Sequence, residues 1–204
     1  MIKSIETNYK GYRFRSRTEA RYAIFFDELG IKWEYELEGF KLPSGKRYLP
    51  DFYFIELNVW VEIKPSIDLI NDGDFEKIIE FSQNSPTSIL LIIGQPGNNM
   101  MFLIDRQDYI FCEEIAPCVL GNNYNQYIEE NYIREGTPPP KNKADFAIDA
   151  FISDFSVVFG TIPTSNKIQI LYHPGVSRDV KDYNFIERAY KKARSARFEF
   201  GERK

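Results

Sequence analysis

Three charged side chains in one apolar stretch could do chemistry together: Asp51, Glu62 and Lys64, within YLPDFYFIELNVWVEIK, residues 48–64. Side chains alternate faces along a strand at about 3.3 Å per residue. Glu62 and Lys64 therefore share one face of a strand over 59–64, roughly 6.6 Å apart along the backbone. Val61 and Ile63 take the other face and can enter a core. If a strand over 48–55 folds back antiparallel through Glu56-Leu57-Asn58, Asp51 falls roughly opposite the start of the second arm. A twist or bulge then brings its carboxylate near Glu62. Two carboxylates and a lysine at a sheet edge would form a divalent-metal site with an adjacent ammonium. The plainer alternative makes Glu62 and Lys64 solvated residues of a half-buried strand.

These residues need elements to position them. Ser16 to Leu29 reads as a helix with Ser16 as N-cap and Glu19 three residues later, the capping-box pattern. Ala20, Ala23, Ile24 and Phe25 form its apolar side, and Gly30 stops it. Glu19 thus has a capping role, and its first-turn position also suits a carboxylate facing a neighbouring site. Arg17 and Arg21 lie four apart on one face. Before the helix, Arg13 and Arg15 alternate with Tyr12 and Phe14 in a strand or extended arm. The arginines could contact phosphates, or the arm could be a solvated edge.

Ile31 to Glu38 alternates as a half-exposed strand. Residues 39–47 read as a loop or hairpin. Pro65 ends the strand after Lys64. Asp74 to Gln83 reads as a helix, and the apolar run Ser88 to Ile93 as a central strand covered on both faces. Met100 to Ile104 and Tyr109 to Cys112 read as a further hairpin. The order implies an α/β domain with a mixed central sheet flanked by helices, over residues 1–112. Residues 113–204 form a C-terminal extension of open fold that could pack on this core. It includes a short helix within 122–134, a strand over 167–172 and a basic helix over 178–197. Lys191, Lys192, Arg194 and Arg197 give that helix the densest basic patch of the chain. A solvated helix end explains part of this charge, and a nucleic-acid contact explains more.

Composition sets limits. The 204 residues are 43% hydrophobic and 16% aromatic, enough for a real core. The net charge of -4 means that any nucleic-acid role depends on local basic patches. Two cysteines, Cys112 and Cys118, and one histidine, His173, make neither a disulfide framework nor a convincing zinc site. No signal-peptide core, membrane-length apolar run, phosphate-binding glycine loop or serine elbow is present. The default expectation is an intracellular, non-membrane protein.

The motifs SRTEARYAIFFDELGI, YLPDF and VEIK, with ARFEFGE near the end, together resemble a phage and bacterial branch of the PD-(D/E)xK nuclease superfamily. The likeness covers roughly residues 10–95 and 187–202. It implies a restriction-endonuclease-like core and a metal-dependent endonuclease acting on DNA, in the cytoplasm of a bacterium or phage-infected host. On this resemblance Asp51 is the central metal-binding aspartate and Glu62 the second ligand. The Ile63 carbonyl joins them, and Glu19 is the helix-borne acid that helps hold the metal or its water. Lys64 is the catalytic lysine. The hard carboxylate oxygens suit Mg²⁺ at about 2.1 Å, with Mn²⁺ as a substitute. The ammonium offsets charge developing on the phosphate. Members that lack activity also exist, so two alternatives stand: a non-catalytic nucleic-acid-binding or assembly subunit, and a nuclease activated by a recruiting protein partner. A two-fold dimer would suit cutting both strands of a duplex.

Overall fold

The computed structural model describes residues 4–105, 124–129, 133–134, 138, 157–161, 168–172 and 183–198. Its centre is a mixed five-stranded sheet in the order β3-β6-β7-β8-β9. These strands are β3 (Trp33–Tyr35), β6 (Phe52–Phe54), β7 (Val59–Lys64), β8 (Ile89–Gln95) and β9 (Asn98–Ile104). β7 and β8 run parallel, and all other neighbours in this sheet are antiparallel. The parallel pair needs a crossover, which is supplied by a 3₁₀ turn (Ile67–Leu69) and helix α2 (Asp72–Asn84).

The alternation along β7 divides the core. Val61 and Ile63 join Phe52, Phe54, Leu90 and Ile92 on one face, against helix α1 (Arg17–Glu28). Trp60 joins Leu91, Ile93 and Phe102 on the other, against Phe75, Ile78, Ile79 and Phe81 of α2. A small hairpin, β4 (Phe40–Lys41) with β5 (Arg47–Tyr48), covers the second face. It is tied to α2 by the Ser44 backbone N–H and hydroxyl, both donating to Glu80.

α1 follows its sequence signals. Ser16 is extended, and its hydroxyl accepts from the Glu19 N–H at 3.1 Å. The helix closes at Leu29, and Gly30 follows at φ +69°. The basic arm before it is a hairpin, β1 (Thr7–Tyr9) with β2 (Tyr12–Phe14). Phe14, fully buried, stacks on Phe52 and meets the Tyr35 ring at a tilt.

Two expectations change. The strand expected over 31–38 pairs only at Trp33–Tyr35, because Glu36 turns into the left-handed region at φ +48°. Leu37 is then exposed. The first central arm, expected over 48–55, joins the central sheet only at Phe52–Phe54, while Tyr48 pairs with Phe40 in the β4–β5 hairpin; Pro50 between them brings no ladder donor. β9, which includes the strand expected over Met100 to Ile104, folds back directly onto β8, with Gln95 opposite Asn98; the second arm of the expected hairpin lies outside the described residues. Residues 109–112 lie outside the described set, as do Cys112, Cys118 and His173.

In the extension, α3 (Tyr124–Ile128), β10 (Val157–Thr161), β11 (Ile168–Tyr172) and α4 (Tyr183–Ser195) are defined. β10 and β11 pair antiparallel. Val157, Phe159, Ile186, Ala189, Tyr190 and Ala193 belong to the same apolar cluster as α1. The Tyr190 ring stacks on Phe25 at 4.2 Å and 8°. α4 is therefore docked on α1 through a buried aromatic pair. Among the described residues no helix is long and apolar enough to cross a membrane.

Candidate active site

β6 leaves the sheet at Asp51, one residue before its pairing with Val61 of β7 begins. Two bonds hold Asp51 there. Its carbonyl accepts from the Glu36 N–H at 2.9 Å. Its carboxylate Oδ2 accepts from the Ile63 N–H at 2.7 Å. The side chain thus replaces the backbone partner that β7 loses where β6 departs. Glu62 precedes Ile63, so Asp51 and Glu62 are brought to the same end of β7, the end where Lys64 follows.

Glu62 is buried, at 6% exposure, which rules out the solvated-face alternative for it. Its Oε1 lies 2.9 Å from Lys64 Nζ. Its Oε2 accepts from the buried Tyr48 hydroxyl at 2.8 Å. Lys64 also lies 3.9 Å from Asp74 Oδ1, in the first turn of α2. Burial opposes the charged form of Lys64, but Glu62, with Asp74 and Asp51, outweighs it and raises the pKa. The ammonium is therefore held protonated.

Burial pushes the Asp51 carboxyl well above its ordinary range, and the charges of Glu62 and Glu19 add to this; the Ile63 N–H and Arg15 oppose it without cancelling it. Tyr48 is likewise raised by burial and by the Glu62 charge. These directions describe one condition: several carboxylates share a buried site with incomplete compensation.

Glu19 completes the arrangement from α1. Its Oε2 accepts from the Tyr35 hydroxyl at 2.6 Å and from the Arg15 N–H at 3.1 Å. Its Oε1 accepts from the Ser16 hydroxyl at 2.6 Å. A carboxylate offers about four acceptor positions, so most of this group's capacity is spent joining the start of α1 to β3.

Arg15, Glu19, Asp51, Glu62, Ile63, Lys64, Asp74 and Lys77 line one open cavity of about 470 Å³, within the range of small-ligand sites. The four residues expected to act together are therefore together. The four N-terminal arginines are not. Only Arg15 lines this cavity. Arg13 pairs with Glu6 at the surface, Arg17 opens α1, and Arg21 reaches Gln95 at 3.4 Å.

The basic residues of α4 also divide. Lys192 pairs with Glu28 at 2.5 Å, and Arg194 donates to the Pro96 carbonyl at 3.2 Å. Lys191 lies with Arg188 and Arg194 along an open hollow. Arg197 is exposed beyond the helix end. Sequence reasoning missed Tyr48, Tyr35, Glu36 and Asp74. None carries a local signal, because each meets the site only through chain-distant packing.

Among the described residues no group of three or more His, Cys, Asp and Glu side chains is placed to hold a metal ion by itself. Mg²⁺ asks for less: it is commonly held by one or two carboxylates while it keeps several waters. Asp51 and Glu62 are two buried carboxylates that line this cavity. No family model, curated protein or solved structure matches the chain.

Proposed function

We propose that this protein is a Mg²⁺-dependent nuclease that hydrolyses phosphodiester bonds in DNA, with a restriction-endonuclease-like core. One observation carries the reading: Asp51, Glu62 and Lys64 line a single open cavity, with both acids buried and the lysine held charged. The order helix, antiparallel strands, helix, parallel strand agrees with it, as do the SRTEAR, YLPDF and VEIK motifs.

In this reading Asp51 and Glu62 would hold the cation, joined by the Ile63 carbonyl and helped by Glu19. The chemistry that such an ion supplies is polarisation of the phosphoryl group and a lowered pKa for an attacking water. Lys64, paired with Glu62 and near Asp74, would offset negative charge developing on phosphate oxygens. Arg15, half exposed at the cavity, supplies a planar guanidinium suited to a phosphate. The net charge of -4 leaves DNA to be drawn by such local cations rather than by the whole surface.

The test is a cleavage assay on supercoiled, linear, branched and single-stranded DNA with Mg²⁺, Mn²⁺ or EDTA. Parent and Lys64→Ala proteins are run side by side. Metal-dependent cutting by the parent that the variant loses is the expected result. Equal cutting by both would sink the proposal. A second reading rests on the exposed Arg188 and Lys191 of α4: a DNA-binding subunit that cuts only with a protein partner or not at all. It predicts salt-sensitive DNA binding that survives Asp51→Ala, with no cutting by the isolated chain.

A further inference from the structure

Arg15 does more in this structure than face the cavity. Its guanidinium Nη2 lies 3.2 Å from Asp51 Oδ1, and its Nε lies 2.6 Å from Glu36 Oε1. Its backbone is pinned: the Arg15 N–H donates to both Glu19 Oε2 and the Tyr35 hydroxyl, each at 3.1 Å. The side chain, by contrast, is 55% exposed and ends on the open side. Arg15 is thus a long cationic arm with a fixed root and an accessible tip.

The position of the tip matters because of how Asp51 is used. Oδ2 is committed to the Ile63 N–H. Oδ1 is the oxygen free of backbone bonding, and the guanidinium rests on it. A carboxylate oxygen has lone pairs for two partners, but a guanidinium and a divalent cation on the same oxygen repel each other strongly in a buried site. They compete for Asp51.

We infer that Arg15 is a resident counter-ion for Asp51, which a divalent cation must displace and which is thereby released toward an incoming phosphate. This rests on the proposed cation site and adds to it a residue that sets how tightly the site takes metal. Burial alone would make an unpaired Asp51 costly. Arg15 compensates it in the absence of metal, at the expense of metal affinity. Glu36, in ion-pair contact with Nε, is where the guanidinium stays paired when it leaves Asp51, so its release needs only a small swing about that contact.

The experiment measures Mn²⁺ binding to the full chain without DNA, by electron paramagnetic resonance of free Mn²⁺. Arg15→Gln, Arg15→Lys and Lys77→Gln are compared with the parent. Lys77 lines the same cavity and so reports what the loss of any nearby positive charge does. A hydrogen bond to a charged group, discounted for the exposure of Arg15, corresponds to roughly tenfold in affinity. Arg15→Gln is expected to bind Mn²⁺ about tenfold more tightly than the parent. Arg15→Lys, which keeps the charge but lacks the fork that reaches two carboxylates, should fall between them. It also covers the case in which Arg15→Gln fails to fold.

Thermal melting gives a second readout. Arg15→Gln should melt below the parent in EDTA, and saturating Mn²⁺ should raise its melting temperature by more than it raises the parent's. Equal Mn²⁺ affinity in the parent and both Arg15 variants overturns the inference. So does an equal gain in Lys77→Gln, which would be a general charge effect. Mn²⁺ binding by neither parent nor variants removes the cation site itself, and the counter-ion role with it. Binding that is normal but insensitive to Arg15 leaves the site standing and removes only Arg15 from it.

Discussion

Replacing Glu19 by alanine separates its two possible roles. Three donors converge on its carboxylate: the Tyr35 hydroxyl, the Arg15 N–H and the Ser16 hydroxyl. Hydrogen bonds to a charged group are worth about 1.5–3 kcal/mol each, and removing the acceptor leaves the donors unsatisfied. Ser16 is partly exposed and can turn to water, so two bonds carry the cost. Bonds that share one acceptor are not additive, and relief of repulsion with Asp51 offsets part of the loss. Glu19→Ala should therefore lose about 3 kcal/mol of stability. In a chain of this size that lowers the melting temperature by about 6–12 °C. The assay is urea unfolding in EDTA, where no metal can contribute. Glu19→Gln retains an acceptor oxygen and should lose only about 1 kcal/mol. A loss below about 1 kcal/mol in Glu19→Ala would refute the reasoning. The carboxylate would then not be tying α1 to β3, and its charge would matter mainly toward the cavity.

Four further outcomes follow from the same contacts. Asp51 has a folded pKa raised by burial, Glu62 and Glu19, so the folded state binds its proton more tightly than the unfolded chain does. In EDTA its contribution to stability is fully present below the unfolded value of 3.8 and is lost as pH rises through the raised folded value. Asp51→Asn should lack that decline in pH-dependent urea unfolding, and an unchanged slope would contradict the assignment. Tyr48→Phe removes a buried donor to Glu62 and should cost about 1.5–3 kcal/mol in the same assay. Phe25→Ala empties a fully buried position stacked on Tyr190. It should cost about 3–5 kcal/mol and should make α4 the first site of limited proteolysis. Gly97→Ala places a side chain on a backbone at φ +78° and a Cβ against the Arg194 guanidinium. Because the arginine can move, the cost should be mainly the backbone's, about 1–2 kcal/mol, with loss of the Arg194–Pro96 contact.

Local physics made part of this protein legible from its sequence. The Ser16 cap, the apolar face and Gly30 delimit α1 because caps and periodicity act within a turn or two of helix. The two-residue period puts Glu62 and Lys64 on one face of β7 whatever surrounds it. The unbroken apolar run at Ser88 to Ile93 marks a strand covered on both faces, and β8 lies between β7 and β9. What the sequence could not determine depends on chain-distant contacts. Four arginines of similar local character precede α1 or lie in its first two turns, and of these only Arg15 meets Asp51, across 36 positions. Tyr35 reaches Glu19 because the aromatic layer of Phe14, Tyr35 and Phe52 fixes β3 against β2. Asp51 meets the Ile63 N–H because β6 diverges at that point and leaves a ladder donor without a backbone partner. The basic helix was visible as charge, but its buried face decided which of those charges remain available: docking on Phe25 sets Lys192 beside Glu28 and Arg194 on the β8–β9 turn. Period and capping are properties of neighbours in the chain, whereas the partner of a buried charge is fixed only when the sheet and helices have packed.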